Sequence, residues 1–231
     1  MSFLFLKTEP FDFGSIFGNI LSKWYYYVIL AVFLAALILF FVKTRRPERP
    51  ERNNLSKTQR LVYTALFAAL SFVANYFTVK VSDALQISFV ATVGFLSGYL
   101  LGGGLGFAAS FTGDLICGIV APFGAYNPII GIGSGLWGLI PGVIFTYFKG
   151  NDYVKTAVSF IVSFVVCSFA VNTLGLSLMY SMTFLSLLSL LPVKLLVAAV
   201  NAALCFALVA VLPRILPKEK FNLNGAGDSG R

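Results

Sequence analysis

The sequence predicts an all-α integral membrane protein, a six-helix bundle preceded by an extra N-terminal transmembrane helix. Three observations carry this expectation. Of 231 residues, 58% are hydrophobic and only 11% charged, and the mean hydropathy of +0.87 describes a chain whose solvent is mostly lipid. Residues 87–213 are almost continuously apolar; outside a short loop at 149–155, their only charged side chains are Asp114 and Lys194. The net charge of +8 arises from basic residues clustered at 43–60 and 214–220, beside apolar spans. That is the positive-inside pattern of a lipid bilayer protein and not a nucleic-acid surface.

Residues 1–23 read as an extracytoplasmic segment whose Phe3, Phe5, Phe11, Phe13 and Phe17 can lie on the outer interface. Residues 24–42 form an apolar run of about the 20 residues a spanning helix needs, flanked by Lys23 on one side and Lys43, Arg45 and Arg46 on the other. This is a membrane anchor. A cleaved signal peptide would carry a shorter apolar core and a small-residue cleavage site, which Leu39-Phe40-Phe41-Val42 does not offer. Residues 43–60, with Pro47 and Pro50 among arginines, make a basic cytoplasmic linker.

Residues 61–217 form the main domain, with spans expected at 61–79, 86–101, 104–121, 127–148, 155–179 and 184–213. Threading them from a cytoplasmic Arg60 returns Lys149, Lys155 and Arg214 to the cytoplasm, as it does the tail at 218–231. Gly131, Gly135, Gly138 and Gly142 fall on one helix face and predict a close packing seam, the alternative being a stripe that docks another subunit. Ala65 and Ala69 form a second pair of small residues, for which docking and internal packing are equally compatible with the spacing.

The chemistry lies in the two intramembrane charges. An ionisable group at membrane depth costs about 2.5–3.5 kcal/mol on insertion scales, so it normally faces protein, substrate or a watery cavity. The plain alternative is a structural ion pair between Asp114 and Lys194. Ala121-Pro122-Phe123-Gly124-Ala125-Tyr126-Asn127-Pro128 is a turn of constrained backbone, placed on the outer face by the topology. Pro192 is expected to kink the last span just before Lys194. An outward pocket can therefore combine Asp114, Asn172 and Lys194 with the rings of Tyr126 and Tyr180. An ionised aspartate accepts parallel N–H bonds from the edge of a flat heterocycle, aromatic rings stack on its faces, and a lysine meets an acidic tail.

No catalytic constellation is visible. With no histidine, imidazole-based metal sites and acid–base relays are excluded, and no metal or cofactor is expected. Cys117, Cys167 and Cys205 are isolated in apolar runs and read as small core residues. The phosphate-binding pattern G-x-x-x-x-G-K-[ST] is missing, so the chain has no ATPase motif of its own.

Four stretches together resemble the substrate-binding S components of energy-coupling factor (ECF) vitamin transporters, and among them the folate group: Thr112-Gly113-Asp114-Leu115-Ile116; the turn at 121–128; Asn172-Thr173-Leu174-Gly175-Leu176-Ser177-Leu178-Met179-Tyr180; and Leu191-Pro192-Val193-Lys194. The resemblance covers roughly residues 56–217. It implies a prokaryotic plasma-membrane subunit that captures a vitamin from outside, partnered by a membrane coupling subunit and two cytoplasmic ATPases. It further implies substrate binding by Asp114, Lys194, Asn172, Tyr126, Tyr180, Asn75, Pro122 and Gly124, and coupling-subunit docking by Ala65 and Ala69. Asn75 and Lys194 stand where the folate pattern carries arginines, and Gly175 where tryptophan is common. A reading from the charges alone is a secondary carrier or channel using Asp114 and Lys194 as an ion or proton site.

Overall fold

The computed structural model describes residues 55–82, 85–120, 127–148, 150–180 and 191–216. The expected N-terminal segment and anchor, most of the linker, the turn at 121–126 and the tail at 218–231 lie outside these residues. Within them run α1 (Lys57–Tyr76), the strands β1 (Val79–Ser82) and β2 (Leu85–Ile87), α2 (Val90–Leu101), α3 (Gly103–Val120) and α4 (Pro128–Tyr147). After these, α5 (Asp152–Ser163) continues through a π-helical segment, Phe164–Val171, into α6 (Asn172–Tyr180), and α7 (Leu191–Ile215) closes the bundle.

Among the described residues, four helices are long and apolar enough to cross a membrane, namely α3, α4, the α5–α6 rod and α7. The expected helical bundle carries one addition, an antiparallel hairpin in which Val79 pairs with Ile87 and Lys80 with Gln86. The hairpin takes the place where the second span was expected to start, so that span begins at Val90.

Local sequence explains the element ends. Ser56 Oγ accepts from the Gln59 N–H at 3.2 Å and Gln59 Oε1 accepts from the Ser56 N–H at 3.1 Å. This capping box starts α1 four residues before the expected 61. Gly102 has φ +88°, a left-handed conformation that favours glycine, and it lets α3 follow α2 almost without a loop. Asn127 Oδ1 accepts from the Ile129 N–H at 3.0 Å, and Pro128 is the first residue of α4. The Asn-Pro pair of the outer turn is thus a helix start.

The centre of the bundle is α2 and α4. Ten of the 12 residues of α2 are buried, and at about 18 Å it is too short to cross a hydrocarbon core by itself. Close approach of backbones makes the centre dense. A Cβ on Gly98 would collide with the Gly138 carbonyl, one on Gly138 with the Gly106 carbonyl, and one on Gly142 with the backbone of Gly103. The glycine face of α4 is therefore an internal seam against α2 and α3, not a docking stripe. Ala65 and Ala69, in contrast, are exposed on the face of α1 opposite buried Phe67, Ala68 and Ser71.

Two peripheral features position the cavity described below. In α7 only Asn201, Cys205 and Val209 are buried, one stripe at four-residue spacing. Asn201 fixes that stripe: its Oδ1 accepts from Thr92 Oγ1 at 2.7 Å, and its Nδ2 donates to the Ser88 carbonyl at 3.1 Å and the Val197 carbonyl at 3.0 Å. Pro192 is the second residue of described α7, and the residues before Leu191, on which the expected kink depends, lie outside those described.

Candidate functional site

Four residues that are far apart in sequence line one cavity of about 180 Å3: Asn75 from the end of α1, Asp114 from α3, Asn172 from the start of α6, and Lys194 from α7. Helix α4 supplies the floor between them. Its Ile130, Gly133, Ser134 and Trp137 line the same space at offsets of three, four and seven, which is one face of an α-helix. The glycine seam lies about a third of a turn further round the helix, so α4 packs closely on one face and lines the cavity with another.

Each polar group in the cavity is held differently. Ser134 Oγ donates to Asp114 Oδ1 at 3.1 Å. Asn75 Nδ2 donates to the Ser71 carbonyl at 3.1 Å, one turn back on its own helix, which ties up one of its donors. Asn172 approaches α4 where Gly133 has no side chain; a Cβ there would stand 3.1 Å from Asn172 Oδ1. Lys194 is half-buried and makes no hydrogen bond or ion pair with another described residue. The direct Asp114–Lys194 pair, the plain alternative from sequence, is not formed.

Aromatic walls are present among the described residues. Trp137, Phe160 and Phe164 line the cavity, and the Trp137 and Phe160 rings lie 5.2 Å apart with a 58° tilt. Pro122, Gly124 and Tyr126 fall outside the described residues, and so does the side chain of Tyr180, whose backbone ends α6. Among the described residues no group of Cys, Asp and Glu side chains is gathered as a metal ion would need. Chemically the cavity offers a carboxylate, an ammonium, amide and hydroxyl groups, and aromatic faces. Such a set of groups is able to hold a flat, polar molecule.

The sequence model of the family described as "ECF-type riboflavin transporter, S component" matches residues 54–215, from the cap of α1 to the last residue of α7. The chain belongs to this family. S components are the substrate-binding subunits of vitamin transporters and not enzymes. Comparison with curated protein sequences gives no match. Among solved structures, the crystal structure of FolT bound with folic acid resembles this S component with a TM-score of 0.57 and 20% identity, covering 67% of this chain and 94% of that one. At that identity the likeness concerns the fold.

In this S component, sequence reasoning missed Ser134, Trp137, Phe160, Phe164, Ser168 and Asn201, all at the cavity. A signal existed for two of them. Asn201 is the one asparagine within the last span, and Ser134 is a polar residue among glycines, three positions before Trp137. For Gly175, the structure supplies a reason for the missing side chain: a Cβ there would meet Ile130 Cγ1 at 3.0 Å and Asn127 Nδ2 at 3.2 Å, and Asn127 Nδ2 donates to the Gly175 carbonyl.

Proposed function

We propose that this S component takes up, from outside the cell, a flat heterocyclic vitamin that carries an acidic group, folate or a related compound, and delivers it through an ATP-driven coupling module in a prokaryotic plasma membrane. The observation that carries the proposal is Lys194, an ammonium in an intramembrane cavity that makes no direct ion pair or hydrogen bond with a described residue, Asp114 across the cavity included. Such a charge is costly unless something neutralises it, and an anionic ligand does so. Asp114 then accepts N–H bonds from the ring edge, and the Trp137, Phe160 and Phe164 rings cover the ring faces.

The name of the matched family favours a second reading, a neutral flavin. Its ring edge alternates carbonyl and N–H groups and suits asparagine amides. Yet Asn201 is occupied by its three hydrogen bonds and Asn75 has given up one donor, which leaves Asn172 as the amide best able to serve such an edge. Exposed Ala65 and Ala69 supply a surface on which a helix of the coupling subunit can approach closely.

Calorimetric titration of the purified protein with folic acid and riboflavin tests the proposal. Folic acid is expected to bind the unaltered protein tightly, and Lys194→Met to weaken it by at least about tenfold. Tight riboflavin binding that is indifferent to Lys194→Met would establish the flavin reading instead.

A further inference from the structure

The rod from Asp152 to Tyr180 changes its hydrogen-bonding register in the middle. Phe164–Val171 is π-helical, and the Asn172 N–H donates to the Cys167 carbonyl five residues back. Such geometry mostly occurs as single-turn bulges, frequently at functional sites; eight residues is long for it. Ser163, the last α-helical residue before it, buries a hydroxyl with no hydrogen-bond partner among the described residues.

The location of the segment explains what it does. Phe160, Phe164, Ser168, Asn172 and Leu176 all line the cavity, a strict four-residue repeat that runs through the whole π segment. A regular α-helix cannot keep that repeat on one face. Each step of four residues overshoots a full turn by ~40°, and four steps accumulate ~160°. The wider π turn makes a four-residue step fall short of a full turn. The two steps inside the segment therefore wind back what the two flanking α-helical steps advance. A continuous α-helix from Phe160 would bring Cys167 and Val171 to the cavity, an apolar wall. In the structure these two are fully buried in the bundle and Ser168 and Asn172 face the cavity.

We propose that the π segment is the specificity wall of the binding cavity: it swaps an apolar face for Ser168 and Asn172, which hydrogen-bond the polar edge of the bound vitamin between the apolar rungs Phe164 and Leu176. Serine and asparagine each donate and accept, so they recognise an edge of mixed N–H and carbonyl groups. This rests on the cavity being the vitamin site.

The experiment has two arms. In full-length protein in which alanine replaces the three native cysteines, single cysteines are introduced by Ser168→Cys, Val171→Cys and Asn172→Cys and labelled with a small water-soluble thiol reagent. Ser168→Cys and Asn172→Cys are expected to react at least about tenfold faster than Val171→Cys, whose position is sealed. Rapid labelling of Val171→Cys with protection of Asn172→Cys would overturn the register. In the second arm, folic acid and riboflavin are titrated into Ser168→Ala, Asn172→Ala and, as a lipid-facing control, Val165→Ala. Whichever vitamin binds the unaltered protein should bind the first two at least about tenfold more weakly, with unchanged melting temperature, and the control normally. Undiminished binding by both alanine variants would overturn the wall while leaving the vitamin site intact. Failure of the unaltered protein to bind either vitamin would overturn the vitamin reading itself, and the wall's ligand with it.

Discussion

Ser134 on α4 and Asp114 on α3 meet across the cavity floor, the serine hydroxyl donating to the carboxylate Oδ1 at 3.1 Å. A hydroxyl orients a carboxylate without neutralising it. The hydrogen bond thereby orients the Asp114 carboxylate, as the proposed recognition of a polar ring edge requires.

Asp114→Asn keeps the shape of the side chain but removes the charge and exchanges one acceptor for a donor. Vitamin affinity is expected to fall by about 1.5–3 kcal/mol, the net worth of hydrogen bonds to charged groups, or more than about tenfold in Kd. Ser134→Ala should cost less, about 1 kcal/mol, because it loses the orientation alone. Calorimetry on the two variants checks both values. Equal effects would mean that the serine, and not the charge, carries the recognition.

Gly138→Ala should destabilise the bundle by about 1–3 kcal/mol or more, because the added methyl would collide with the backbone carbonyl of Gly106 and a backbone cannot step aside as a side chain can. Gly104→Ala is the matched control. Nothing lies within 4 Å of its added Cβ, and alanine is the better helix former, so stability should hold or rise by up to about 1 kcal/mol. Thermal unfolding in detergent separates the two.

Asn201→Leu removes two hydrogen bonds that tie α7 to Thr92 and to the Ser88 carbonyl, and one to the Val197 carbonyl within α7, while leaving the helix itself apolar. Interhelical hydrogen bonds in membranes average about 0.6 kcal/mol and reach about 1.7. A loss of roughly 1–2 kcal/mol is expected, together with faster hydrogen exchange at Thr92. Unchanged exchange there would show that packing of Cys205 and Val209 suffices to hold α7.

Replacing Ala65 and Ala69 together with leucine leaves the buried face of α1 untouched, since both are exposed opposite Phe67, Ala68 and Ser71. Vitamin binding by the isolated protein should remain within about twofold, whereas uptake by cells should be abolished, because bulk prevents close helix approach. Parallel binding and uptake assays decide it. If both fall together, the alanines belong to the internal packing of this domain.

The amino-acid sequence by itself determined the solvent, the helical class and the two charges that fall within the apolar spans. These follow from composition and periodicity: long apolar runs leave a helical bundle as the satisfied backbone, and a charge at membrane depth has few tolerable surroundings. It also carried the local ends of helices, since Ser56 with Gln59 and Asn127 with Pro128 act over three residues. Only the tertiary structure decided which distant residues share a cavity. Asn75, Asp114, Asn172 and Lys194 converge through helix packing, and the aromatic faces come from Trp137, Phe160 and Phe164. The π segment was out of reach for the same reason. A sequence read at a period of 3.6 assigns Cys167 and Val171 to one face with Phe160 and Phe164, and only the hydrogen-bond register of the folded rod turns Ser168 and Asn172 into their place.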